Sequence, residues 1–328
     1  MTCGRREEGH IHRKRTYIKD LQPGARVAGS FVLKRKRLDS FVSKEGSFLN
    51  CQLGDRTGEI SAVLWDGGPQ VYSQVEEGAP VWVEGQVGVY RGSPQIVLDT
   101  LRQAQAGEYD PGDFLPTGDA DPDKIFQEIE DVVESIGNPH LQRLLRHILG
   151  DEQVAAAFRQ APGAKGMHHA YLGGLIEHTW NVVRICDQMA RIYPLDRDLL
   201  LTGAILHDIG KLHEYVWDVA IDISDEGRLL GHIVMADEML CRVIDDLEGF
   251  PAELKLRLRH LLISHHGQYE WGSPRRPKMP EACVLHQADL MDAEVFKFVA
   301  AAKQSGSKGW SSYDRALNRM LYLGREDG

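Results

Sequence analysis

Nowhere in the 328 residues is there an apolar run long enough to cross a bilayer. No membrane role is expected. Met1 to Arg15 is polar and basic without a hydrophobic centre, so a secretory leader is not expected either. Cysteine is sparse. Cys3, Cys51, Cys186, Cys241 and Cys283 are odd in number, scattered and never arranged as Cys-x-x-Cys, and they read as reduced core thiols of a cytoplasmic protein. Internal repeats and low-complexity tracts are also lacking. Positive charge is in deficit, at net −10, which taken alone argues against a nucleic-acid partner. The deficit is uneven, however. Residues 1–105 hold 15 Lys+Arg against 12 Asp+Glu, while the remainder holds 23 against 36, so the basic character sits at the front.

The length suggests about two domains, each with its own core. Residues 1–15 form a basic arm. Residues 16–103 carry a strand-like pattern: Val27 to Arg37, Phe48 to Leu53 and Glu59 to Trp65 around a Gly-Asp-Arg-Thr-Gly turn, then Val81 to Tyr90 and Gln95 to Leu101 around Arg91-Gly92-Ser93. Pro69 to Val75 fits a short helix between the hairpins. Five strands with one helix after the third describe an OB-fold β-barrel.

Alternation puts Leu49, Cys51 and Leu53 on the core face and Phe48, Asn50 and Gln52 on the other, which Ser61, Val63 and Trp65 are expected to join. Phe48, Trp65 and Tyr90 are candidates for stacking on bases, with Lys34, Arg35, Lys36 and Arg37 as phosphate partners. The competing reading is structural, since small barrels need large aromatics inside and basic runs are often only solvated edges.

Residues 104–123 are rich in Gly, Pro and acidic side chains and read as a linker. Residues 124–328 then follow helical periodicity. Helices are expected over Asp123 to Ile136, Pro139 to Leu149, Gln153 to Arg159, Leu175 to Ile192, Asp196 to Asp208, Arg228 to Leu247, Ala252 to Ser264 and Glu281 to Lys303.

Within this half, Leu206-His207-Asp208-Ile209-Gly210-Lys211 ends an apolar helical run with an imidazole beside a carboxylate. If the helix continues, both side chains reach a metal lying beside it and Lys211 returns to the face of His207, able to pair with a phosphate oxygen. One His-Asp pair proves little, because a buried His bonded to Asp is an ordinary structural feature. Its company is more telling: His178, His232, His265-His266, and His286 with Asp289 all lie in amphipathic patterns that can converge on one inner point.

These residues resemble the H…HD…D pattern of the HD-domain metal-dependent phosphohydrolase superfamily. The resemblance is closer still to its YhaM-type 3′→5′ exoribonuclease branch, which joins an N-terminal OB-fold to an all-α HD domain. It is carried by Met167-His168-His169-Ala170-Tyr171-Leu172-Gly173-Gly174-Leu175-Ile176-Glu177-His178-Thr179, by residues 203–211, by Asp225 to Ile233, by Ser264-His265-His266-Gly267 and by Trp271 to Lys278. The resemblance implies His178, His207, Asp208 and Asp289 as ligands of one divalent ion. Asp208 would bridge to a second held by His232 and one or both of His265 and His266. Manganese is implied first, with iron, cobalt or magnesium as alternatives, and one or two ions. Imidazoles mixed with carboxylates suit manganese or iron better than magnesium.

His168 and His169 are implied as grips on the scissile or a neighbouring phosphate. Arg275, Arg276 and Lys278 are candidate phosphate contacts at the cleft mouth, against the plain reading of a basic loop. Asp292 reads as a supporting carboxylate, and His286 as a satisfied core histidine. The implied reaction removes nucleoside 5′-monophosphates from the 3′ end of single-stranded RNA, with single-stranded DNA as a further substrate, the barrel feeding the strand to the HD site. A homo-oligomer is left open.

Two rivals remain: an HD phosphohydrolase acting on a small nucleotide, and a non-catalytic single-strand binder. Against the first, in its cyclic-dinucleotide form, His265-His266 leads into Gly267-Gln268-Tyr269-Glu270-Trp271 and not into the Gly-Tyr-Pro of those enzymes. The intact ligand set speaks against the second.

Overall fold

The computed structural model describes residues 16–41, 45–166, 169–305, 309–315 and 317–324. The basic arm and His168 lie outside them. The chain divides into two compact units, one of residues 1–116 with 217–220, the other of residues 117–216 with 221–328.

In the first unit, β1 (Arg26–Ser40), β2 (Ser47–Asp55), β3 (Gly58–Leu64), β4 (Pro80–Tyr90) and β5 (Ser93–Gln103) close into a barrel in the order β1-β2-β3-β5-β4, with β4 pairing back onto β1. A short helix α1 (Gly68–Gln74) follows β3. The alternating apolar positions become the barrel interior, where Phe31, Leu33, Leu49, Leu53, Ile60, Ala62, Leu64, Val81, Val83, Ile96 and Leu98 cluster. Closure gives every barrel strand a partner on both sides.

Strand β1 does not keep one alternation throughout. Leu33 pairs with Leu53 but Arg35 pairs with Gln52, so Lys34 is the extra residue of a bulge. Beyond it Arg35, Arg37 and Asp39 stand opposite Gln52, Asn50 and Phe48. Val63 departs from expectation. Flanked in register by Asn50 and Val97, it is buried, whereas Ser61 is exposed.

The stretch expected as a linker is ordered. Phe114 and Leu115 are buried, the Asp113 carbonyl accepts from the Arg56 amide at 2.9 Å, and the Asp113 carboxylate accepts from the Tyr17 hydroxyl at 3.0 Å.

The second unit is built from α2 (Pro122–Glu134), α3 (Pro139–Leu149), α4 (Glu152–Gln160), α5 (Gly174–Ile192), α6 (Arg197–Leu206), α7 (Lys211–Glu214), α8 (Asp225–Leu230), α9 (His232–Asp246), α10 (Ala252–Ser264) and α11 (Pro280–Ser305). Carboxylate or amide oxygens of Asp121, Asn138, Asp151 and Asp196 cap four of the helix N-termini, each satisfying amides that have no partner within the helix. Helix α5 packs against α6 and α11 around Leu175, Ile176, Leu200, Leu201 and Leu285, all fully buried.

Helical periodicity misjudged three places. A two-stranded sheet of β6 (Tyr215–Trp217) and β7 (Ile221–Ile223) interrupts the helices. The helix expected over Arg228 to Leu247 is broken at Gly231, whose φ of 75° favours glycine and cannot continue a helix. The helix expected to run to Asp208 stops at Leu206, so His207 and Asp208 lie in a turn and Lys211 opens a new helix. Gly210 in this turn has no room for a side chain, since a Cβ there would lie 2.0 Å from the His232 carbonyl oxygen.

Candidate metal centre

Five imidazoles and two carboxylates meet where α5, the turn after α6, the start of α9, the end of α10 and the middle of α11 converge. His178 Nε2 lies 3.2 Å from His207 Nε2, 3.2 Å from Asp289 Oδ1 and 3.5 Å from Asp208 Oδ2. On the other side of the same carboxylate, Asp208 Oδ1 lies 3.4 Å from His232 Nε2 and 3.6 Å from His265 Nε2. Asp208, His232, His265 and His266 therefore form one potential ligand group and His178, His207 and Asp208 another, with Asp208 in both.

What aims these rings is the bond made by the far nitrogen of each. His207 Nδ1 donates to the Ala204 carbonyl at 2.8 Å, His265 Nδ1 to the Leu262 carbonyl at 2.6 Å and His266 Nδ1 to the Trp271 carbonyl at 2.9 Å. His178 Nδ1 donates to Asp292 Oδ2 at 2.7 Å and His232 Nδ1 to Glu214 Oε2 at 3.0 Å. With the proton held on Nδ1, the rings of His207, His232, His265 and His266 present an Nε2 lone pair inward, the tautomer that binds a metal, and His178 does so once its second proton leaves.

The inner atoms fit a divalent ion on their own evidence. Asp208 Oδ1, His232 Nε2 and His265 Nε2 are buried and make no hydrogen bond. Such orphaned polar groups cost on the order of 1–3 kcal/mol each. A cation lying among them would satisfy all three.

Electrostatics keep the centre anionic. Burial opposes ionisation of Asp208, but the Lys211 ammonium and the His207 ring hold its carboxyl well below the usual carboxylate range. Burial likewise opposes charge on His178, yet its hydrogen bonds to Asp289 and Asp292 prevail and push its pKa up to about 9 in the metal-free protein. Burial lowers the pKa of His265 and, with the neighbouring His265, of His266, keeping both neutral and ready to ligate.

The sequence of this chain matches two family models, HD domain over residues 175–294 and OB-fold nucleic acid binding domain over residues 25–104. A protein of Shouchella clausii named 3'-5' exoribonuclease YhaM is 35% identical over 308 residues, 93% of this chain and 95% of the relative. The Bacillus velezensis protein of the same name is 36% identical over 302 residues, 91% of this chain and 95% of the relative. The chain belongs to the YhaM family of 3'-5' exoribonucleases.

Several residues of this YhaM-family chain lie elsewhere than the sequence suggested. His169, expected on a phosphate, is fully buried, with Nε2 3.0 Å from Asp292 Oδ2 and Nδ1 2.9 Å from the Tyr171 hydroxyl. Both ring nitrogens are thus engaged, one on Asp292 and the other on Tyr171. Lys211, expected to face a phosphate from the His207 side of a helix, instead gives its ammonium to Asp208 Oδ2 at 2.7 Å and to the Gly163 carbonyl at 2.8 Å, because the helix breaks between them.

Arg275 and Lys278 lie on the outer face of α10 beside Arg259 and His260, not among the ligands, and Arg276 is exposed. The loop bends there because the Arg275 amide donates to the Ile263 carbonyl at 3.3 Å and the Lys278 amide to His260 Nε2 at 2.9 Å.

Sequence reasoning missed Glu214, Tyr171 and Glu177. The Tyr171 hydroxyl donates to Glu177 Oε2 at 2.8 Å, extending the chain of bonds from His178 through Asp292 and His169. Glu214 lies 18 residues before its partner His232, and nothing local marks it or Tyr171.

On the barrel, Phe48 and Trp65 pack at 4.7 Å, and Phe41 joins them at 5.1 Å from Phe48 and 6.2 Å from Trp65, stacked on the latter. Phe41 had not been singled out. Trp65 stays 45% exposed just past Leu64, which pairs with Leu49, while Phe48 pairs with Asp39 two residues from Arg37. Tyr90 is exposed in the β4–β5 hairpin, with the Arg91 guanidinium over its ring.

Lys36 is not a free phosphate partner. Its ammonium donates to the carbonyls of Tyr72 and Val75, both at 2.6 Å, capping the C-terminal end of α1. Arg37 pairs with Asp39 at 2.8 Å, while Lys34 lies in the bulge with its stem against Gly54.

Proposed function

We propose that this protein is a divalent-metal-dependent 3′→5′ exoribonuclease that shortens single-stranded RNA to nucleoside 5′-monophosphates, and that it also accepts single-stranded DNA. The observation that carries the reading is Asp208. It is buried between two imidazole groups with one oxygen turned to each, in a chain whose full-length relatives are named for this activity. Two ligand groups sharing one carboxylate support two ions, and the mixed imidazole and carboxylate donors support manganese first.

The first ion would be held by His178, His207, Asp208 and Asp289, the second by Asp208, His232, His265 and His266. Bound there, such ions acidify a water and neutralise charge on the phosphoryl oxygens. The protein's own part is orientation. Nδ1 bonds fix five imidazoles, and Lys211 keeps Asp208 ionised and in place. The Phe41, Phe48 and Trp65 rings, with Arg37 and then Arg35 further along β1, suit stacking and phosphate tracking along a single strand.

The test is a 5′-labelled single-stranded RNA incubated with the purified protein and manganese, with and without chelator. A chelator-sensitive ladder shortening from the 3′ end, with mononucleotide products, is expected. An RNA that stays intact while bound would replace this reading with a binding module.

A further inference from the structure

Trp271 has no part in the ligand set, yet it sits at its edge. Its backbone carbonyl receives the Nδ1 proton of His266 at 2.9 Å, so the residue is one hydrogen bond from a candidate ligand. Its indole is 52% exposed, a large apolar surface left in water, and Tyr269, two residues earlier, is 58% exposed.

The loop holding them is firmly pinned. The Trp271 and Ser273 amides both donate to the Gln268 carbonyl, at 3.2 and 3.1 Å, and the buried Ser273 hydroxyl reaches the carbonyls of Ile263 and Arg275 at 3.2 and 2.7 Å. Beneath the indole, at 6.0 Å between ring centroids, lies His286, whose own Nδ1 donates to the His265 carbonyl. One histidine backing thus supports both the ligand segment and the exposed ring.

We infer that Trp271 is a stacking platform for the 3′-terminal base of the substrate. The inference rests on the exonuclease reading and specifies what holds the terminal nucleotide. A phosphodiester lying at the ligands carries its base outward to the rim, where a rigid half-exposed indole offers a flat apolar partner. Every base has such a face, so the platform binds the end without reading sequence. An end held in a duplex has its base already stacked and paired, so the platform selects for free ends.

The test compares two single-stranded RNAs, one ordinary and one whose 3′-terminal nucleotide is abasic, on the manganese-loaded wild type, Trp271→Ala and Trp271→Phe proteins. Metal content is measured for each, since the carbonyl that holds His266 survives both substitutions. Base stacking predicts that wild type prefers the ordinary end by about tenfold in kcat/KM, mainly through KM, and that Trp271→Ala loses the preference while Trp271→Phe keeps most of it. Full preference retained in Trp271→Ala, with normal metal content, overturns the platform and leaves the exonuclease reading intact. Inactivity of the wild type on both RNAs overturns the two together.

Discussion

His178 Nδ1 and Asp292 Oδ2 are joined by a 2.7 Å hydrogen bond, buried at the convergence of α5 and α11, and the same carboxylate oxygen is 3.0 Å from His169 Nε2. Asp292 therefore fixes the orientation of a candidate ligand without facing the centre. Asp292→Asn removes the charge and is expected to weaken manganese binding by about 10- to 100-fold. Titration calorimetry of the metal-free protein measures this, and unchanged affinity would show that His178 does not ligate.

Asp208 carries both halves of the centre. Asp208→Ala is expected to lower hydrolysis on the order of 10³-fold or more, because several kcal/mol of charge stabilisation disappear with the ions. Binding of the same RNA to the mutant, measured by filter retention, should persist through the barrel. A folded, active Asp208→Ala protein would refute the assignment.

Metal and proton compete for His178. Its pKa is raised to about 9, above the ordinary imidazole value near 6.5, so in the metal-free protein its protonation stabilises the fold fully below about pH 6.5. That contribution is lost as pH rises through about 9. Metal affinity should run the other way, climbing by up to about tenfold per pH unit between those limits as one proton ceases to block Nε2. A pH series of affinities with a flat profile would contradict this.

Trp65→Ala removes the most exposed ring of the barrel cluster. It is expected to weaken binding of long single strands by about 1–3 kcal/mol, and to lower turnover of a dinucleotide much less. Fluorescence anisotropy with labelled RNA checks the first part and product analysis the second. Equal losses on both substrates would mean that the barrel does not hold the strand.

The barrel was legible because its signal is local. Period-two apolar positions and Gly-rich turns mark each strand of β1 to β5, and the same residues fill the interior. The helices were legible except where a single glycine or a turn overrode the period, at Gly231 and between Leu206 and Lys211. His178, His207, Asp208, Asp289 and the later histidines stood out by residue type, and the structure brings them together. What could not be read was any role set by a partner distant in sequence. His169 faces Asp292, 123 residues away, and Lys36 reaches carbonyls 36 and 39 residues on. Residue type alone offers both as phosphate contacts, and only tertiary packing commits them elsewhere.

The bulge at Lys34 makes β1 a strand of two parities. Before it, odd-numbered residues such as Phe31 and Leu33 belong to the interior; after it, Arg35 and Arg37 are odd-numbered and face outward. Loss of that one residue would leave Leu33 opposite Leu53 and Arg35 opposite Gln52 in plain alternation, so the bulge bends and twists β1 without deciding which face Arg35 and Arg37 take. Position 34 is thus a source of curvature, and the faces on either side of it would survive its loss.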